Sequence, residues 1–154
     1  MGGEPTGKKP TDRGRLGSKH HVVTDRQGLP LCPPNITAAN VSDSTTLRMM
    51  LARIKPVAGR VGRPQRRPKK LYADKGYHSK SNSLHLRVEG IGCRIARPMI
   101  ESSERLGRKR WVVERTIAWL HRFRRLLVRY ERRADLHQAF LTLASCIILL
   151  RALS

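Results

Sequence analysis

Apolar residues occur first in short runs separated by turn residues, then at helical spacing. The run at 20–24 predicts a strand. Asp25-Arg26-Gln27-Gly28 is turn chemistry, and residues 29–37 predict the returning strand of a hairpin. Pro30, Pro33 and Pro34 restrict that second strand to a sheet edge, because proline cannot donate to a central ladder. Ser42 or Asp43 caps a predicted helix to about Ile54, with Leu47, Met50, Leu51 and Ile54 on one face. A strand is expected at 70–73, a helix at 79–89 closed by Gly90, and a strand at 91–96. Residues 98–107 read as a loop. A long basic helix is predicted from Arg108 to about Tyr130, with Trp119, Phe123, Leu127 and Tyr130 on its apolar side. Asp135 caps a final helix over 136–153. Strands mixed with helices in this order imply an α/β domain with helices packed on a sheet.

Composition changes the picture mainly through charge. The chain has 154 residues, the size of one ordinary domain, and a net charge of +21. Self-repulsion at that density weakens a compact state, and a polyanion relieves it. Nucleic acid is therefore the default partner class, with an anionic membrane surface as the alternative. The apolar run 139–150 is too short to span a bilayer and fits a buried helix. Residues 1–18 hold five Gly and two Pro, and they read as a flexible or extended N-terminal segment without a signal peptide. The segment 55–70 has seven basic residues, three prolines and no acid, which predicts a phosphate-facing loop. Cys32, Cys93 and Cys146 form no close pair. They are expected as buried thiols in a reducing cytosol, with neither a disulfide framework nor a zinc site.

Two acids stand out against this basic background. Eleven Lys and Arg lie from Arg105 to Arg133, against only Glu114 and Glu131. A helix built only to grip phosphate gains nothing from Glu114, so a divalent cation beside nucleic acid is the sharper reading. The plainer one is an Arg110–Glu114 helix pair. Asp74 falls at the carboxyl end of a predicted strand, where open α/β sheets place ligands. The plainer reading there is a turn-organising aspartate. Arg108, Arg115, Arg122 and Arg129 recur every seven residues and predict a phosphate track along one helix. His20, His21, His85 and His137 show no ligand spacing.

The motif LYADKGYHS (71–79), followed at this distance by RWVVERTIAWLHRFRRL (110–126), resembles the catalytic domain of bacterial insertion-sequence DDE transposases. The likeness is to the group with an Arg-x3-Glu-x6-basic signature. It extends over DRGRLGSKHHVVTD (12–25), TAANVSD (37–43), GRPQRRPKK (62–70) and ADLHQAFLTLA (134–144). Gly107 stands where that signature places a tyrosine, so this part is not carried over.

The resemblance implies an RNase H-like mixed sheet with flanking helices. Residues 1–18 would be a flexible N-terminal segment and 19–154 a partial catalytic domain lacking its first strand. It implies Asp74 and Glu114 as catalytic carboxylates holding two Mg2+ or Mn2+ ions, with Arg110 and His121 as further catalytic residues. The first aspartate of the family lies on a strand preceding the stretch that resembles 12–24. Asp12 and Asp25 do not replace it, so the chain alone is expected to be inactive. The expected DNA contacts are Arg66, Arg67, Lys69, Lys70, Arg108, Lys109, Arg115, Arg122, Arg125 and Arg129. The implied partners are double-stranded DNA (terminal repeats and target), the upstream half of a transposase or its full-length form, and further copies assembled on DNA. The implied setting is the bacterial cytoplasm, at the nucleoid. Two other functions stay open at this level: an inactive DNA-binding regulator of transposition, and an unrelated basic RNA-binding protein.

Overall fold

Three prolines decide the course of the first hairpin. The computed structural model describes residues 5–9, 13–56, 61–62, 64–65, 67–96 and 103–154, with backbone alone for 103–110. Strand β1 (Gly7–Lys8) pairs with β2 (Leu16–His21), and β2 pairs with β3 (Asn35–Ala38), all antiparallel. The register sets Ser18 against Ala38 and His21 against Asn35. The returning strand thus forms only after Pro34, not from residue 29 as the pattern suggested. Between them the chain keeps the isolated bridge Thr24 to Pro30, with bonds from Leu31 N to Val23 O at 2.9 Å and from Asp25 N to Leu29 O at 3.0 Å. Pro30, Pro33 and Pro34 have no N–H for a regular ladder, which accounts for the delay.

The chain divides into two compact units, Met1–Val41 with Val112–Ser154, and Ser42–Trp111. In the first, helices α3 (Ser103–His121), α4 (Arg124–Leu127) and α5 (Ala134–Leu153) accompany the three-stranded sheet; α3 up to Trp111 is grouped with the second unit. The core is Ile36, Leu120, Leu126, Leu141, Ala144 and Ile148, edged by Val22, Leu29, Trp119, Phe123 and Phe140. The long basic helix expected to run to Tyr130 is corrected here: α3 stops at His121. Phe123 is extended (φ −84°, ψ 112°) and α4 is a single turn. The break lets Phe123 and Leu126 pack beside Leu120. Leu127 and Tyr130, expected on the apolar side, are left 61% and 58% exposed.

Helix α5 is longer than its apolar run and has the length and composition to cross a membrane. It nevertheless buries Leu141, Ala144 and Ile148 in the core of this unit. Its N-cap is Arg133, not Asp135 as expected. Asp135 sits in the first turn, where its carboxylate accepts from Leu136 N at 2.9 Å and favours the positive end of the helix dipole.

In the second unit, Asp43–Thr45 form a 3-10 turn that leads into α1 (Leu47–Ala52), which is shorter than the helix expected to Ile54. Strands β4 (Lys70–Ala73) and β5 (Gly92–Ile95) pair in parallel through α2 (Lys80–Val88). A parallel pair needs a crossover of this kind. Ser79 caps α2, its hydroxyl accepting from Asn82 N at 3.0 Å. At the other end Ile91 N bonds to Leu86 O at 2.8 Å and Gly90 N to Arg87 O at 3.1 Å, a Schellman closure. Leu47, Leu86, Ile91 and Ile95 form the core of this unit, with Leu51, Leu71, Ala73 and Tyr77 packed on it. Of the three thiols expected to be buried, only Cys32 is. Cys93 on β5 and Cys146 on the outer face of α5 are exposed.

Candidate functional site

Asp74 follows the last residue of β4, where the alternation of the strand ends and the chain must turn. It is the N-cap of a 3-10 turn, Lys75–Tyr77, and its carboxylate accepts from Lys75 N at 2.8 Å. The side chain is exposed. Both sequence readings therefore describe it: a turn organiser and an acid at the carboxyl end of a parallel strand.

The fold adds a second acid that the sequence presented only as a helix cap. Asp43 packs against Gly76: a Cβ built there would lie 2.7 Å from Asp43 Oδ2, so only glycine lets the two turns approach this closely. Tyr77 reports the charge around it. Its hydroxyl is pushed up to about 12, first by burial and then by the negative charges of Asp43 and, more weakly, Asp74, against a bond with Thr46. At neutral pH it is a neutral phenol beside two carboxylates.

Glu114 lies on α3 in the other unit, exposed, on the face opposite the buried Thr116 and Leu120. His121, the last residue of α3, is half-buried and meets two further histidines. His20 on β2 has its ring centroid 6.4 Å from His121 and 5.2 Å from His137 on α5. His20 Nε2 and His137 Nε2 are 3.1 Å apart, and His137 Nδ1 lies 3.4 Å from Glu131 Oε2. Glu131 also accepts from Arg125 Nη1 at 2.7 Å. Burial works against ionisation of Glu131, but bonds from Arg125, its own backbone and His137 hold its carboxyl below the usual range. Burial first, then the electrostatic influence of His137, His121, His21 and Arg129, lowers His20 from 6.5 to about 4. His137 is also lowered, chiefly by burial, although Glu131 opposes this. With both imidazoles neutral, one N–H fits between the two Nε2 atoms. His137 Nδ1–H then donates to Glu131, and His20 Nε2–H donates to His137. This relay borders a cavity of about 670 Å³ lined also by Lys9, Ser18, Arg129 and Arg132. Its members come from distant parts of the sequence, so no spacing signal could have found it.

The heptad arginine stripe does not survive as one helical face, because α3 ends before Arg122. Arg129, half-buried beyond α4, donates to Ser18 Oγ at 2.6 Å and to Glu131 O at 3.0 Å. Arg115 donates to Gln27 O and lies over the Trp119 ring, 5.0 Å from its centroid. Arg125 pairs with Glu131 and stacks on Phe140; Arg67 pairs with Glu89 at 2.7 Å. Arg122, Lys69 and Lys70 are exposed. Arg66 and Asp12 lie outside the described residues, as do the side chains of Arg108, Lys109 and Arg110 on α3. Among the described residues no three His, Cys, Asp or Glu side chains form a group that could hold a metal ion. Asp74 and Glu114 lie in different units.

Comparison with known proteins gives this arrangement its class. The family profile described as Transposase DDE domain matches residues 2–149. The chain belongs to the DDE transposase family, as its motifs implied, and the unrelated RNA-binding reading is thereby set aside. A Burkholderia cepacia protein named as a transposase for insertion sequence element IS402 is 52% identical over 143 residues, which cover 93% of this chain and 67% of that protein. No solved structure matches the chain.

Proposed function

We propose that the chain is the C-terminal part of an insertion-sequence transposase that cuts and joins the ends of its own element. The observation that carries the reading is Asp74 at the carboxyl end of parallel strand β4, within a family match that continues through Glu114 to residue 149. In this reading residues 19–154 are part of an RNase H-like catalytic domain, with 1–18 as its N-terminal segment. A further aspartate comes from a strand outside this sequence. Among the described residues β4 pairs only with β5, so its other edge offers backbone groups to such a strand.

Asp74 and Glu114 are the carboxylates that would hold divalent metal. Their hard oxygens suit Mg2+ or Mn2+, and the bound ions would supply positive charge at the scissile phosphate. His121, beside the neutral His20, and Arg110 act on the same phosphodiester. Arg66, Arg67, Lys69, Lys70, Arg108, Lys109, Arg122 and Arg125 hold the DNA backbone of terminal repeats and target, with Arg115 and Arg129 contributing charge from their internal positions. Partners are the upstream part of the transposase and further copies gathered on DNA, in the bacterial cytoplasm at the nucleoid.

The test is Glu114→Gln in the transposase assembled on terminal-repeat DNA. Metal-dependent strand cleavage should be lost while binding is unchanged or slightly stronger. Unchanged cleavage sinks the catalytic role of Glu114. Binding without cleavage by the unsubstituted chain, together with no upstream coding sequence for a strand that ends in aspartate, favours a DNA-binding regulator.

A further inference from the structure

We propose that the outer face of α5 is a docking surface for α5 of a second copy of this chain, the two helices lying antiparallel about a twofold axis between Leu143 and Cys146. The inference gives a surface to the gathering of copies proposed above and rests on that part of the reading alone. It needs neither metal nor catalysis.

Leu136, Ala139, Leu143, Cys146, Leu150 and Leu153 are all exposed. They follow one another at alternating intervals of three and four residues, the spacing with which one helix packs along another. Leu141, Ala144 and Ile148 lie on the opposite side of α5 and pack with Ile36 of β3 in the core. A strand supplied from outside this sequence would extend a sheet, and the sheet of this unit meets α5 on its buried side. Such a strand leaves the outer row uncovered.

The row complements itself when read in reverse. Ala139 then faces Leu150 and Leu143 faces Cys146, so a large side chain meets a small one in each inner layer. In parallel, Ala139 would face Ala139 and leave a gap. Charge also favours this contact. A chain of +21 repels its own copy, yet from Leu136 to Leu150 the helix has no lysine, arginine or carboxylate, and its His137 is buried. Exposure from 37% at Ile147 to 86% at Leu153 leaves about 600 Å² of this face open on each copy, so a pair buries about 1,200 Å², where specific interfaces begin. A bilayer fits less well. Crossing one would strip Leu141 and Ile148 from their core, although α5 has the length and composition to do so. A helix lying on a membrane surface carries Lys and Arg along its polar side, and this stretch has none.

The experiment is sedimentation velocity on the whole nuclease-treated chain over a wide range of concentration, from about 0.1 to about 0.5 M salt. The unsubstituted chain should form a dimer and no larger species. Salt should strengthen that dimer by screening the repulsion, whereas copies bridged by nucleic acid separate as salt rises. Leu143→Glu buries a carboxylate in the interface and should weaken the dimer on the order of a hundredfold, even though it lowers the net charge. Leu150→Glu should do the same. Leu84→Glu, at an exposed site on α2, should leave the dimer unchanged. In the antiparallel pair the two Cys146 residues are three residues apart along the axis, about 4.5 Å. A short bismaleimide should therefore join two copies, with the product lost in Cys146→Ser and kept in Cys93→Ser.

A chain that stays monomeric, open-ended aggregation, or a dimer indifferent to Leu143→Glu and Leu150→Glu overturns the proposal. Copies joined only on a short DNA duplex, whatever stands at 143, overturn this face and leave the gathering on DNA intact. A monomer that binds phosphatidylcholine vesicles and loses them on Leu143→Glu assigns the face to membrane instead.

Discussion

Acid should loosen the first unit through His20, by an amount the structure bounds. The perturbation is a fall in pH with His20→Gln as reference, because an amide keeps a donor for His137 Nε2 and does not titrate. Folding lowers His20 from 6.5 to about 4, by burial and by His137, His121, His21 and Arg129. The titratable and charged neighbours meet it from its own strand (His21), α3 (His121), α5 (His137) and the segment after α4 (Arg129), with Glu131 behind His137. Below pH 6.5 the unfolded chain binds a proton at this position that the folded chain refuses. Stability is therefore present in full above 6.5 and is lost as the pH falls toward 4. At about 1.36 kcal/mol per pH unit, the lowering sets an upper limit of about 3 kcal/mol, and roughly 2 kcal/mol after allowance for solvent screening. The assay is urea unfolding followed by tryptophan fluorescence from about pH 7 to about pH 4.5, on both proteins. The unsubstituted chain should lose that much more stability than His20→Gln over the interval. A stability difference between the two that stays flat with pH refutes the reasoning.

Two further outcomes test the packing. Ser79→Ala removes the hydroxyl that caps α2 and should cost about 1 kcal/mol in urea unfolding, with Ser79→Asp restoring most of it. Leu141→Ala opens a cavity at a fully buried position on α5 and should cost about 2–5 kcal/mol, read as a lower midpoint of thermal or urea unfolding.

Local chemistry was legible where one residue type dictates one backbone outcome. Strand β4 begins and ends where the pattern placed it, α2 falls within the 79–89 span expected for it, and Gly90 closes it. The hostility of proline to a ladder is legible in sequence, but its reach is not: three prolines postpone β3 to residue 35. The end of α3 was not legible, because RFRRLLVRY (122–130) continues past His121 without glycine or proline to mark a stop. What ends the helix is tertiary: in one continuous helix Leu120 and Leu126 would stand about 120° apart around the axis, and the break before α4 brings both into the core while Leu127 is left outside. Asp43 read as a cap because a cap is visible in sequence, whereas the turn it packs against is not. Membership of the family was legible from the order and spacing of motifs, while the Glu131–His137–His20 relay, assembled from β2, α5 and the segment between α4 and α5, was not.

The arginines show why a charge count and a binding surface are different quantities. Arg115 and Arg129, read from sequence as parts of one phosphate track, spend their donors inside the first unit, on Gln27 O, Ser18 Oγ and Glu131 O. Those acceptors are neutral. They satisfy hydrogen bonds without cancelling charge, unlike the carboxylates that meet Arg125, Arg133 and Arg67. Burial also lowers Arg129 from its usual value, against the pull of Glu131, yet a guanidinium remains protonated at neutral pH. The fold thus ties down the geometry of its inner arginines and leaves the net +21, which already counts every carboxylate of the chain, for an outside polyanion to meet. Such a charge acts over about a Debye length of roughly 8–10 Å, and it attracts a polyanion whether or not each guanidinium touches a phosphate. Removing an inner arginine should therefore damage the packing as well as the affinity, whereas removing the exposed Arg122, Lys69 or Lys70 should reach the affinity alone.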